Sequence, residues 1–265
     1  MTETTKPKNI FPMWWDILAV IGIMLLIMGL FSMVMLSVGG AFGLNSATVS
    51  SLSYIGSFLL VISGFYIYRN LRKGKPAPLR TIARNTASPQ FLLWSFLTIL
   101  WLGIALEPLV SLLPTEHFVQ IDGLVENPYG ALVSVIAAPI LEEWFFRGQL
   151  QRSLTAKYGA MTGVVVASVI FGTIHGNPIQ IISAIPCGIV LGYVYNCTQS
   201  LGAPIFIHAL NNALSFSAIS ILGSSSVTLS KLLDQQQSIY WIIYASCVVL
   251  GAGSLLIMIL KLRKK

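Results

Sequence analysis

"ILAVIGIMLLIMGLFSMVMLSV" (Ile17–Val38) contains no Asp, Glu, Lys or Arg. A helix rises 1.5 Å per residue, so this run alone reaches across the roughly 30 Å hydrocarbon core of a bilayer. The charge-free stretch continues to Tyr68, and a second one runs from Tyr158 to Ser230. Each is far longer than the roughly 20 apolar residues of one membrane crossing, so several crossings are folded into each. Of the 265 residues, 55% are hydrophobic and only 9% charged, with a mean hydropathy of +0.79. That composition lies outside the range of soluble globular domains. Ile17–Val38 is also longer than the apolar core of a signal peptide and lacks a small-residue cleavage pattern, so it reads as a membrane span.

Glycine, proline and polar clusters cut the chain into about eight apolar helices. They are expected at Ile17–Val38, Ser50–Tyr68, Phe91–Leu113, Tyr129–Leu154, Ala160–Ile174, Ile179–Asn196, Pro204–Leu222 and Ile239–Leu260. The fold class is therefore all-α, a polytopic transmembrane bundle, with 1–265 read as one membrane domain. Threading the spans with the N-terminus in the cytoplasm puts 15 of the 16 Lys and Arg residues on the cytoplasmic side, all but Lys231. The positive-inside rule then places both termini in the cytoplasm. It also accounts for the net charge of +7, so no nucleic-acid partner is expected and lipid is. Cys187, Cys197 and Cys247 lack metal or redox spacing and read as packing residues. Glu107, next to Pro108, reads as interfacial.

Against this apolar background "LEEWFFRGQ" (Leu141–Gln149) stands out. An ionised carboxylate at the middle of a span costs about 2.5 to 3.5 kcal/mol on insertion scales, so Glu142 and Glu143 require partners or a wet cavity. Glu143 and Arg147, four apart, share a helix face and can pair, which reads as a helix-stabilising pair near the cytoplasmic surface. Glu142 has no partner on its own helix. Pro139 cannot donate the usual backbone bond and is expected to bend the helix and free carbonyls there. Two further spans carry histidines: "FGTIH" sets Phe171 and His175 on one face, and "HALNN" does so for His208 and Asn212. Two imidazoles, a free carboxylate and an asparagine can hold and deprotonate a water molecule, directly or through a divalent metal.

The series E-E-x-x-x-R, F-x-x-x-H and H-x-x-x-N on successive apolar helices resembles the CPBP family of intramembrane proteases. That family includes CAAX-prenyl endopeptidases and bacteriocin-processing or self-immunity proteins. The resemblance spans about residues 129–222 and leaves the first ~125 without a matching motif. It implies Glu142 as the catalytic base, with His175, His208 and Asn212 contacting water or the oxyanion and Glu143, Arg147 and Phe171 in support. It also implies a membrane-associated, prenylated or hydrophobic peptide substrate, and a multi-pass protein of the cell membrane, or of an endomembrane in a eukaryote. No histidine is followed by glutamate as in H-E-x-x-H, and asparagine is a poor zinc ligand, so the reading favours a metal-free mechanism. The alternative is zinc held by His175, His208 and Glu142. Two competing functions remain: an ion-coupled transporter relaying protons through the same groups, and a non-catalytic immunity or interaction protein.

Overall fold

The computed structural model describes residues 11–72, 87–113, 129–222, 228–233 and 236–262. Among these the secondary structure is helical, with no strand. We number the spans α1 (Trp14–Phe42), α2 (Ser46–Leu71), α3 (Pro89–Ala105), α4 (132–158), α5 (Ala160–Thr173), α6 (Pro178–Thr198), α7 (Gly202–Leu222) and α8 (Gln237–Leu262). The chain is a multi-pass helical membrane protein. Five of these helices, α1, α2, α6, α7 and α8, are long and apolar enough to cross a membrane, while α3 and α5 are shorter apolar helices.

Local chemistry fixes the ends. Ser88 and Asn177 accept hydrogen bonds from the backbone N–H groups of Phe91 and Ile179, and in each case a proline follows at the first helical position. α1 starts at Trp14, earlier than Ile17, because Asp16 belongs to it: its carboxylate accepts from the Met13 N–H, the Tyr68 hydroxyl and Arg72 Nε, each at 2.8 Å. This one acid ties the start of α1 to the end of α2. α3 stops at Ala105, short of the expected Leu113, and a one-turn helix, Glu107–Val110, follows. Pro108 lacks the N–H that would continue the ladder, and its ring opposes the carbonyl four residues earlier. Glu107, expected to be interfacial, is buried within the fold, where it accepts a 2.6 Å hydrogen bond from the Ser230 N–H.

α4 departs most from a regular helix. A π-helical turn (Leu132–Ala137), an α-helix (Ala138–Phe145), a second π-helical turn (Phe146–Gln151) and a closing α-helix (Arg152–Tyr158) succeed one another. In the first π turn the Ala138 N–H bonds to the Val133 carbonyl, five residues back. The next bond of that pattern would run from residue 139 to Ser134. Pro139 has no N–H, so the Ser134 carbonyl is released, and Asn212 Nδ2 donates to it at 2.9 Å. The carbonyl expected to be freed by Pro139 is thus found, and it anchors α7 to α4.

Residue pairs between helices set their directions. α1 and α2 run antiparallel, with Ser32 on Ser53 and Asp16 on Tyr68. α2 and α4 run parallel, with Phe65 on Phe145 and Arg69 on Gln149. α4 and α6 are also parallel, since Arg147 and Gln151 bond the carbonyls of Gly188 and Gly192. α4 and α7 are antiparallel, with Glu143 on His208 and Ser134 on Asn212. Each sense is the one that alternating crossings require. α5 and α6 approach closely at Gly172, where a Cβ would lie 3.0 Å from the Ile185 backbone nitrogen. Small residues are what allow such backbone contact in membrane bundles.

Candidate active site

Glu142 and Glu143, adjacent in α4, face different surroundings because successive helical residues are turned by about 100°. Glu143 is fully enclosed, and its Oε1 accepts from Arg147 Nη1 at 2.8 Å and from His208 Nδ1 at 2.8 Å. Arg147, 1% exposed, donates its Nη2 to the Gly188 carbonyl at 2.9 Å, and its guanidinium lies 4.6 Å from the centre of the Phe171 ring. The pair expected to stabilise its own helix also joins α4 to α5, α6 and α7. Helical spacing predicted the pairing itself; burial follows from the aromatic residues around it.

The Glu143 contact fixes how His208 is presented. A carboxylate only accepts, so Nδ1 carries the hydrogen and Nε2 points onward. Nε2 lies 3.7 Å from Glu142 Oε2. The other oxygen of Glu142, Oε1, accepts from the hydroxyl of Tyr54 on α2. His175, in the turn after α5, directs Nδ1 to the Phe171 carbonyl at 2.9 Å, which by the same logic leaves its Nε2 as an acceptor. The Phe171 ring meets both imidazoles edge-on, at 5.2 Å from His175 and 5.9 Å from His208.

Glu142, His175, His208 and Asn212 all line one cavity of about 520 Å³ between α3, α4, α5, α6 and α7. That is the size range of small-molecule and short peptide sites. Ile99, Leu102, Phe216 and Ile219 give it an apolar side, and Gln180 and Ser183 add polar groups beyond the histidines. Cys187, read as a packing residue, faces this cavity as well. One of the two Asn212 amide hydrogens is committed to the Ser134 carbonyl, which leaves the second for the cavity.

His175, His208 and Glu142 were also the donors weighed for zinc. No three His, Cys, Asp or Glu side chains among the described residues gather closely enough to hold a metal ion. The third histidine, His117, given no role from the sequence, lies outside the described residues.

Tyr54 is the residue that sequence reasoning did not reach. Its only local signal is a stripe at helical spacing on α2, Tyr54, Phe58, Phe65 and Arg69, which lies along α4. Nothing in that stripe names Glu142 as its neighbour, because the two residues are 88 positions apart.

Residues 125–214 match the family model described as "Type II CAAX prenyl endopeptidase Rce1-like". All three motifs fall within that segment, and over it the resemblance to the CPBP family is borne out. A Bacillus subtilis (strain 168) protein named "Putative membrane peptidase YdiL" is 30% identical over 92 residues, which is 35% of this chain and 38% of that protein. The chain thus spans well under half the length of this curated relative. No solved structure matches the chain.

Proposed function

We propose that this protein is a membrane endopeptidase that hydrolyses a peptide bond of a membrane-associated, prenylated or otherwise hydrophobic peptide, with Glu142 activating the water. The observation that carries this reading is the Glu142 carboxylate on a cavity wall, one oxygen anchored by Tyr54 and the other 3.7 Å from His208 Nε2. A water molecule held between Glu142 Oε2 and a histidine Nε2 gives its proton to Glu142 as its oxygen attacks the scissile carbonyl. The remaining amide hydrogen of Asn212 donates to the oxyanion. Glu142 then returns the proton to the leaving nitrogen, which restores the carboxylate. Glu143 and Arg147 hold His208 in the required tautomer, and Phe171 walls both imidazoles. The apolar side of the cavity supports a greasy substrate, and the matched family and the relative's name point to the same reaction class.

In this proposal residues 1–265 form one membrane domain, with 129–222 as its catalytic part. The protein resides in the cell membrane with both termini in the cytoplasm. The test is purified full-length protein in detergent with a quenched-fluorescent peptide library, comparing wild type, Glu142→Gln and His208→Ala, with and without chelator. The reading expects cleavage by wild type, loss of about 10³-fold or more in Glu142→Gln, and no effect of chelator. Undiminished cleavage by Glu142→Gln would sink it. An ion-coupled carrier would instead show ion-dependent flux in proteoliposomes and no cleavage.

A further inference from the structure

We propose that Tyr54 is a positioning residue for Glu142, fixing the plane of its carboxylate so that one oxygen faces the cavity; this rests on the peptidase reading above. A carboxylate has two equivalent oxygens, and a terminal torsion of this kind is broad and roughly two-fold, so packing alone holds it loosely. A donor behind the group fixes its plane: whichever oxygen takes the hydroxyl, the other faces the cavity. The Tyr54 hydroxyl donates to Oε1, and Oε2 is the oxygen that stands 3.7 Å from His208 Nε2. Tyr54 is not on the cavity wall, whereas Glu142 is. The tyrosine therefore acts from behind, through Glu142, and is not placed to touch a substrate itself.

The hydroxyl is held firmly enough for this. The Tyr54 ring packs on Phe58 with centroids 5.0 Å apart, and Phe58 is buried in the cluster that includes Phe65, Phe145 and Phe146. Further along the same two helices Phe65 meets Phe145 at 5.5 Å and Tyr66 meets Trp144 at 5.9 Å. These contacts lock the register of α2 on α4, and with it the height of the hydroxyl relative to Glu142. A buried carboxylate also demands donors, and a neutral phenol supplies one without adding a charge that would compete for the developing oxyanion. Tyr54 lies outside the 125–214 segment that carries the family match. The inference gives α2 a catalytic purpose that the motifs alone do not.

The test uses full-length protein in detergent and the most rapidly cleaved peptide of the quenched library. Tyr54→Phe removes only the hydroxyl. It is expected to lower kcat about 10- to 100-fold, the scale of a misaligned reacting group, while KM stays within about twofold. Its midpoint of thermal unfolding in detergent is expected to stay close to wild type, because the ring packing on Phe58 is kept. An unchanged kcat in Tyr54→Phe, with Glu142→Gln inactive, overturns the inference and leaves the peptidase reading standing. A rise in KM at constant kcat overturns it too, since it would make Tyr54 a substrate contact. A midpoint of thermal unfolding that falls in step with kcat in Tyr54→Phe would reduce the hydroxyl to a structural contact and have the same consequence. Full activity in Glu142→Gln would instead remove the peptidase reading together with the inference.

Discussion

At the scale of single residues, two chemically identical neighbours have been given opposite environments. Glu143 is an internal counter-ion whose Oε1 holds an arginine and a histidine at once, while Glu142 turns one oxygen to the cavity. Removing one partner of a buried charged pair leaves the other uncompensated and costs about 3 to 5 kcal/mol. Glu143→Gln is therefore expected to destabilise the fold by that order, read as a clear fall in the midpoint of thermal unfolding in detergent. Glu142→Gln, bordering a cavity that water can enter, should unfold close to the wild-type temperature. Equal unfolding temperatures for the two variants would contradict this division. The sequence revealed half of it: Glu143 and Arg147 at i and i+4 announce their own pairing. That His208 completes the set was not legible, since it arrives from α7, 65 residues away, and no local pattern encodes which acid a distant imidazole will meet.

At the scale of elements, α4 works because it is irregular. Pro139 was expected to bend the helix and free carbonyls; a π turn precedes it, and the released Ser134 carbonyl is handed to Asn212. Asn212 thus has a structural duty that its motif does not advertise, beside any role at the oxyanion. Leaving that carbonyl unpaired costs about 1 to 3 kcal/mol, so Asn212→Ala should lower stability by this amount. In a Pro139→Ala background the ladder regains a donor, and the same Asn212→Ala change should cost markedly less. Strict additivity in this double-mutant cycle, measured by unfolding in detergent, would show that the proline and the asparagine are not coupled. The α5–α6 crossing supplies a second test. Gly172→Leu drives a side chain into the Ile185 backbone, so a loss of about 3 kcal/mol or more is expected, together with failing cleavage as His175 is displaced. Wild-type unfolding and cleavage would contradict the proposed close approach.

At the scale of the whole molecule, three helices that meet only in the folded chain bring Glu142, His175 and His208 to the wall of one cavity. Orientation is tested by cysteine labelling in a variant lacking the native cysteines. Asn45→Cys, between α1 and α2, should react with an impermeant maleimide on intact cells, and Gln199→Cys, between α6 and α7, only after permeabilisation. The reverse pattern would invert the proposed topology. By itself the sequence determined the solvent, the number and approximate limits of the helices and the residues able to do chemistry, because hydrophobicity accumulates along the chain and i, i+4 neighbours are fixed by helical geometry. The tertiary structure decided which acid is enclosed and which faces the cavity, that Tyr54 stands behind Glu142, and that Asn212 closes the gap left by Pro139. Those choices depend on which helix faces meet, and that is set by close packing between segments far apart in the chain.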